Sequence, residues 1–270
     1  MLITVRLGVC AILLGMCAAA AAQTDQQLVE QAVRTELAAD AADHTHWLYY
    51  EDDRTPGTDV KQWVAQSNIG DLKRVLTQNG RALGAEEQQN RIDSFISNPE
   101  AQQKQRKAGQ QDDRQAAQML RLLPQAFLWT KTGERDGNTT LHFTPDPNFN
   151  PPTWASRVFA AMEGDMTVND AQHRIVSIKG RMIHEVKFWG GLLGEIKAGG
   201  TFDAERREIG NGEWQITNTH VHIQGHALLF KNISDQEDDD KTHFKQLPDN
   251  ISGQRAEKEL LAQPLQAPAQ

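Results

Sequence analysis

Turn signals at nearly even spacing are the feature that most constrains this chain. Asn79-Gly80, Gly133 to Asn138, Asn169 to Gln172 and Gly210-Asn211-Gly212 all collect residues that tolerate the left-handed backbone of a tight turn. Between them run short segments of alternating character. Phe127 and Trp129 share one face, Met166 and Val168 share another, and Val176, Ile178 and Met182 form the apolar side of a third. Such a series predicts an antiparallel sheet of about ten strands, curved into an open half-barrel. With the helices described next, the expected fold class is α+β.

Thr24 is placed to cap a first helix running to about Asp40, with Leu28, Val29, Ala32, Val33 and Leu37 as its apolar stripe. Residues 84–123 break the strand pattern: they are rich in Gln, Glu, Lys, Arg and Ala and read as a helical excursion from the sheet. Asn98-Pro99-Glu100 supplies a cap, a first-turn proline and an acid suited to the helix dipole. Apolar residues gather only near its end, at Ala116, Met119, Leu120, Leu122 and Leu123, ahead of Pro124. The excursion therefore reads as solvated at first and docked at last, either a lid or an arm. Residues 23–253 are expected to form one domain, and the polar tail 254–270 is expected to be disordered. Asp235 and Glu237 to Asp240 read as a solvated turn between the last two strands, because the run lacks the spacing of a calcium loop.

The first 22 residues combine a basic start at Arg6, an apolar stretch from Leu7 to Cys17 and an alanine run before Gln23. That order predicts a cleavable signal peptide and export to the periplasm. The apolar run is shorter than the ~20 residues that span a bilayer, so no transmembrane anchor is expected. Both cysteines, Cys10 and Cys17, fall inside this leader, which leaves no disulfide or thiol nucleophile beyond it. Acidic residues outnumber basic ones, 36 to 28, for a net charge of −8. That balance argues against a nucleic-acid partner, which needs basic patches.

Signatures of catalysis are missing. No G-x-S-x-G elbow occurs, and Gly190, Gly191 and Gly194 lack the Lys-Ser/Thr of a phosphate loop. No enzyme activity and no cofactor are expected. His44-x-His46 and His220-x-His222 are the weak metal candidates: each spacing puts two imidazoles on one strand face, and two such strands side by side would offer four ligands. The loop around Phe188, Trp189, Leu192 and Leu193 places apolar side chains beside glycines and is the expected mouth of a binding site. Trp47 and Trp214 are the expected wall residues.

Three segments carry a family resemblance. They are the amphipathic helix after the leader, the strand-turn Asp71 to Gly80, and the hairpin Gly164 to Ile178 around its Asn169-Asp170 turn. In these the chain resembles the periplasmic outer-membrane lipoprotein-sorting (LolA-like) carriers. The resemblance implies an unclosed antiparallel barrel wrapped over a helix, with an apolar cavity. The implied function is a periplasmic binding or carrier protein for a lipid, an acyl chain or a lipoprotein, peripheral to the envelope membranes. The alternative is a non-enzymatic envelope adaptor that docks a partner protein through the arm at 84–123.

Overall fold

The structure, a computed structural model, describes residues 23–153, 155–188, 194–227, 236–266 and 268. Helix α1 (Asp25–Ala42) begins with a capping box in which Thr24 and Gln27 each satisfy the other's backbone N–H. Strands β1 (His46–Thr55), β2 (Thr58–Ala65), β3 (Leu72–Gln78) and the short β4 (Arg81–Ala82) follow as consecutive hairpins. Asn79 and Gly80 both take positive φ, 51° and 74°, as their turn requires.

The excursion is helical in two pieces, α2 (Ala85–Ile96) and α3 (Pro99–Ala126). Asn98 caps α3 by accepting from the Ala101 N–H at 3.0 Å. Contrary to expectation, α3 runs through Pro124. The proline sits in the last turn, where its missing N–H releases only one carbonyl from the ladder.

The remaining strands are β5 (Phe127–Arg135), β6 (Asn138–Pro145), β7 (Met162–Asn169), β8 (Ile175–Met182), β9 (Val186–Phe188) and β10 (Gly194–Ile196). After them come β11 (Thr201–Gly210), β12 (Glu213–His222), β13 (Gly225–Ala227) and β14 (Gln236–Leu247). A 3₁₀ helix over Ala155–Ala161 precedes β7. Among the described residues, eleven strands form one antiparallel sheet in the order β4-β3-β2-β1-β14-β12-β11-β8-β7-β6-β5. Its end strands do not pair, so the sheet is open. A small second sheet has the order β13-β10-β9.

Two expectations are corrected here. Glu237 to Asp240 are strand, not turn: they lie at the start of β14, which joins the N-terminal hairpins to the rest of the sheet through β1 and β12. Their charges have partners within the strand and across the ladder: Lys241 of β14 itself lies with its Nζ 2.7 Å from Asp239, and His220 of β12 lies with its Nδ1 2.8 Å from Asp238. Asp235 lies outside the described residues. The tail is not wholly disordered either, since Gly253–Leu261 forms α4, capped by Ser252. Ala256 and Leu260, one turn apart, are fully buried against Leu72 and Ile92, a stripe that the polar composition masks. Arg74, itself buried, donates to the carbonyls of Leu260, Leu261 and Gln263 at 2.9, 3.2 and 2.8 Å, closing the helix's C-terminal end.

Hydrophobic packing gathers at both ends of the sheet. At one end Leu48, Tyr50, Trp63, Leu72 and Leu76 meet α2 and α4. At the other, Val29, Ala32 and Val33 of α1 lie on Leu141, Met166, Val168 and Ile175. A register shift beside Val168 turns Ile175 inward where Val176 was expected. Helix α1 is also fixed by charge. Glu36, 3% exposed, accepts from Arg174 Nε and Nη2 at 3.0 Å each and from the Ile175 N–H at 2.7 Å, and Arg206 contacts it as a second cation. Glu36→Ala leaves the buried Arg174 without its counter-charge, and a loss of roughly 3–5 kcal/mol in urea unfolding is expected. A loss below about 1 kcal/mol would show that the cluster is not holding α1 in place.

Candidate ligand cavity

Helix α3 crosses one face of the sheet and is pinned at both ends. Near its start Gln102 donates to the Phe95 and Ile96 carbonyls, both at 2.9 Å, while Gln105 accepts from the Asp71 N–H at 2.7 Å. At its far end Gln26 of α1 donates to the Pro124 carbonyl, and the chain enters β5 directly. Between these anchors the inward-facing residues change character. Gln111, Asp112 and Gln115 come first, then Ala116, Met119, Leu120 and Leu123. The apolar turns pack on the sheet. The polar turns stand off from it.

The space left beneath α3 is a partly open cavity of about 730 Å³. Its apolar walls are Met119, Val158, Phe159, Met162, Phe202 and Val221, and its polar lining comes from α3, Thr201, Asp203 and Thr219. A further chamber of about 240 Å³ extends under Leu120 and Leu123 to Phe127, Trp129 and Phe143. Ala116, Met119, Phe159, Met162 and Phe202 are walls of both, which makes them neighbouring parts of one space.

The inner end is rigid. Phe127 meets Phe143 at a tilt and Phe159 edge-to-face, with centroids 4.7 and 5.3 Å apart, and Trp129 lies 5.4 Å from Phe143. The Trp129 indole N–H is buried and has no acceptor among the described residues. The floor depends on two glycines. Gly164 and Gly180 face each other across β7 and β8; a Cβ on Gly164 would collide with backbone and with the Phe143 ring, and one on Gly180 would collide with Phe202. Absent side chains there let both rings approach the strands closely.

The expected site residues fare differently. Trp47, 4% exposed, packs with Tyr49, Val64 and Phe244 and donates to Thr45 Oγ1 at 2.8 Å. Trp214 donates to Gln172 Oε1 at 2.7 Å under the Arg174 guanidinium. Neither lines the cavity; both are buried, each with its indole N–H satisfied locally. Trp189, Leu192 and Leu193 lie outside the described residues, as does the side chain of Phe188. The strands that flank them do reach the site: Val186 of β9 and Ile196 of β10 are buried among Phe159, Met162 and Met182, and Ile196 lines the cavity.

The two histidine pairs do not meet. His46 is opposite Leu247 at one end of β14, whereas His220 and His222 are opposite Asp238 and Gln236 at the other, roughly 30 Å along a strand. Among the described residues no group of three His, Cys, Asp or Glu is arranged to hold a metal. His220 and His222 instead share Asp238 Oδ1, at 2.8 and 3.0 Å. The hydrogen bond from His220, with burial working against it and that from His222 adding to it, holds the Asp238 carboxyl below its usual range.

Residues that the pattern of the chain left unassigned to a site, Met119, Phe159, Met162 and Phe202 above all, are the ones the fold brings together. The in-register glycines opposite aromatic residues were the available signal. Comparison with protein-family models, with curated proteins and with solved structures finds no match for this chain, so function rests on the cavity itself.

A carboxyl held low in the folded state contributes stability above its unfolded pKa and loses it as pH falls through the folded value. Asp238→Asn should therefore destabilise the protein at neutral pH, with the difference from the parent vanishing under acid conditions below the ordinary carboxylate range. Chemical unfolding across that range checks this; a difference that persists unchanged into acid would mean the carboxylate is not its source.

Proposed function

We propose that this protein is a carrier, in the bacterial periplasm, of a lipid, an acyl chain or a lipoprotein's acyl portion, held between α3 and the open sheet acting as a half-barrel. The observation that carries this reading is the cavity of about 730 Å³ with its aromatic inner extension. It falls within the ~300–1,000 Å³ of small-molecule sites, which are concave, mostly apolar and set with few polar groups. The segments that resemble lipoprotein-sorting carriers support the same reading, as does the open antiparallel sheet facing a long helix. The leader at 1–22 supports export.

The chemistry is reversible burial. Each methylene withdrawn from water contributes ~0.8 kcal/mol. Ten buried methylenes supply roughly 8 kcal/mol, enough after the cost of association for exchange rather than permanent capture. A preformed aromatic wall lowers that cost because Phe127, Phe143 and Phe159 are already ordered against one another.

The adaptor alternative draws less support. Its docking arm is committed to the fold: Ile92 of α2 and Gln102 of α3 are buried, and the inward turns of α3 roof the cavity.

A native mass spectrum of residues 23–270, purified from the periplasm without detergent, should show a mass excess that disappears on denaturation. Ala204→Trp, which fills the cavity from β11, should cut the loaded fraction at least about tenfold while the circular dichroism spectrum is kept. A folded Ala204→Trp protein as fully loaded as the parent would overturn the assignment of the site.

A further inference from the structure

The main cavity adjoins a groove with a different lining. On one flank of α3, Arg114, Gln118 and Arg121 line an open groove of about 580 Å³ against Pro152, Thr153 and Ala155. Resting on the carrier reading above, we infer that this groove holds the head of the carried amphiphile, and that the head is an anion of the phosphate type.

Helix geometry gathers the donors. Positions 114, 118 and 121 are four and three residues apart, so they form one row along the helix, the two arginines about 10 Å apart along its axis. All three are exposed. Among the described residues neither arginine makes a hydrogen bond or an ion pair, and the groove's lining includes no carboxylate. Acids of the same stretch are turned elsewhere. Asp112 lines the main cavity and already has a partner. Asp113 is turned towards Asp40 of α1: burial, Asp40 and Asp112 push its carboxyl up, and Arg114 offsets them in part. Arg157 of the 3₁₀ helix also has a partner already. Each guanidinium offers a planar fork of donors that matches a phosphate, and the Gln118 amide between them adds another donor.

The groove leads into the cavity. Gln111, Gln115 and Met119 of α3 wall both. Opposite them the 3₁₀ helix gives Ala155 to the groove, and Val158 and Phe159 to the cavity. A chain laid through the seam between the two helices has its tail among apolar walls and its head beside the arginines.

Displacement of the uncharged fluorescent probe N-phenyl-1-naphthylamine by 1-decanol and by decyl phosphate, each below its aggregation limit at neutral pH, separates the possibilities. The two compounds share one chain and differ in the anionic group. Decyl phosphate should displace the probe at a concentration at least about fivefold lower. In the double variant Arg114→Gln with Arg121→Gln that advantage should fall below about twofold, while decanol and the probe itself bind within about twofold of the parent. Inorganic phosphate in about tenfold excess should leave the advantage in place, since a head tethered to a buried chain has the higher effective concentration. Equal displacement by both compounds, or an advantage that the double variant keeps, overturns the inference about the head and leaves the carrier reading standing. Loss of the advantage to inorganic phosphate assigns the groove to the free ion and overturns it too. Sedimentation with phosphatidylglycerol vesicles supplies the remaining arm: a double variant that loses vesicle binding yet keeps the preference for decyl phosphate places the arginines on a membrane surface instead. If neither compound nor the probe binds, the carrier reading falls and this inference with it.

Discussion

Along the inward side of α3, polar residues give way to apolar ones halfway down the helix, and the site depends on that change. From Ala116 onward Met119, Leu120 and Leu123 can be buried only by lying on the sheet, which draws the helix down at its C-terminal half. Before it, Gln111, Asp112 and Gln115 are polar and would lose hydration if they were drawn down equally. The helix therefore leans across the face, pinned at its start by Gln102, Gln105 and Arg106 to the loops that precede it. A cavity graded from polar lining to aromatic end is the geometric consequence.

That arrangement needs a sheet that will not follow the helix down. The rigidity comes from packing at both ends. Helices α2 and α4 brace β1 to β3 through Ile92, Ala256 and Leu260. Helix α1 braces β6 to β8 through its alanine and valine stripe and through Glu36, whose two arginine partners reach it from the β8 entrance and from β11. Strand β14 joins the two ends. Its acidic first half survives inside a ladder because Lys241 of the same strand, His220 and Asn218 of β12 and Arg54 of β1 supply partners. Burial still pushes the Asp239 carboxyl and the Tyr49 phenol upward, with neighbouring carboxylates adding to the shift. The join is thus a place where the fold accepts desolvated charge so that the sheet can be continuous.

Much of the fold was legible in the residues. The cap at Thr24, the Asn98-Pro99 helix start and the Asn-Gly and Asp-Gly turns are local devices, read from side-chain chemistry within a few positions. The site was less legible. Trp47 and Trp214 drew attention for their size, yet each is spent on local cover with its N–H satisfied by Thr45 or Gln172. The walls of the cavity are ordinary methionines and phenylalanines, which cannot be told from core until register places Phe202 over Gly180 and Phe143 over Gly164. Helix α4 was hidden for a related reason: two small-to-medium residues one turn apart carry little signal amid glutamine and glutamate.

By itself the sequence determined the elements: an α+β chain of short antiparallel strands, one amphipathic helix ahead of them and a helical insertion among them. Periodicity, turn residues and caps act over neighbouring positions, and these suffice for that much. Only the tertiary structure decided which faces meet. It separated the histidine pairs by the width and length of β14, drew Arg174 and Arg206 onto one buried glutamate, and left empty volume beneath α3. Strand order and register are long-range quantities, fixed by the joint burial of surfaces far apart in the chain, and a cavity is what remains where that burial is incomplete.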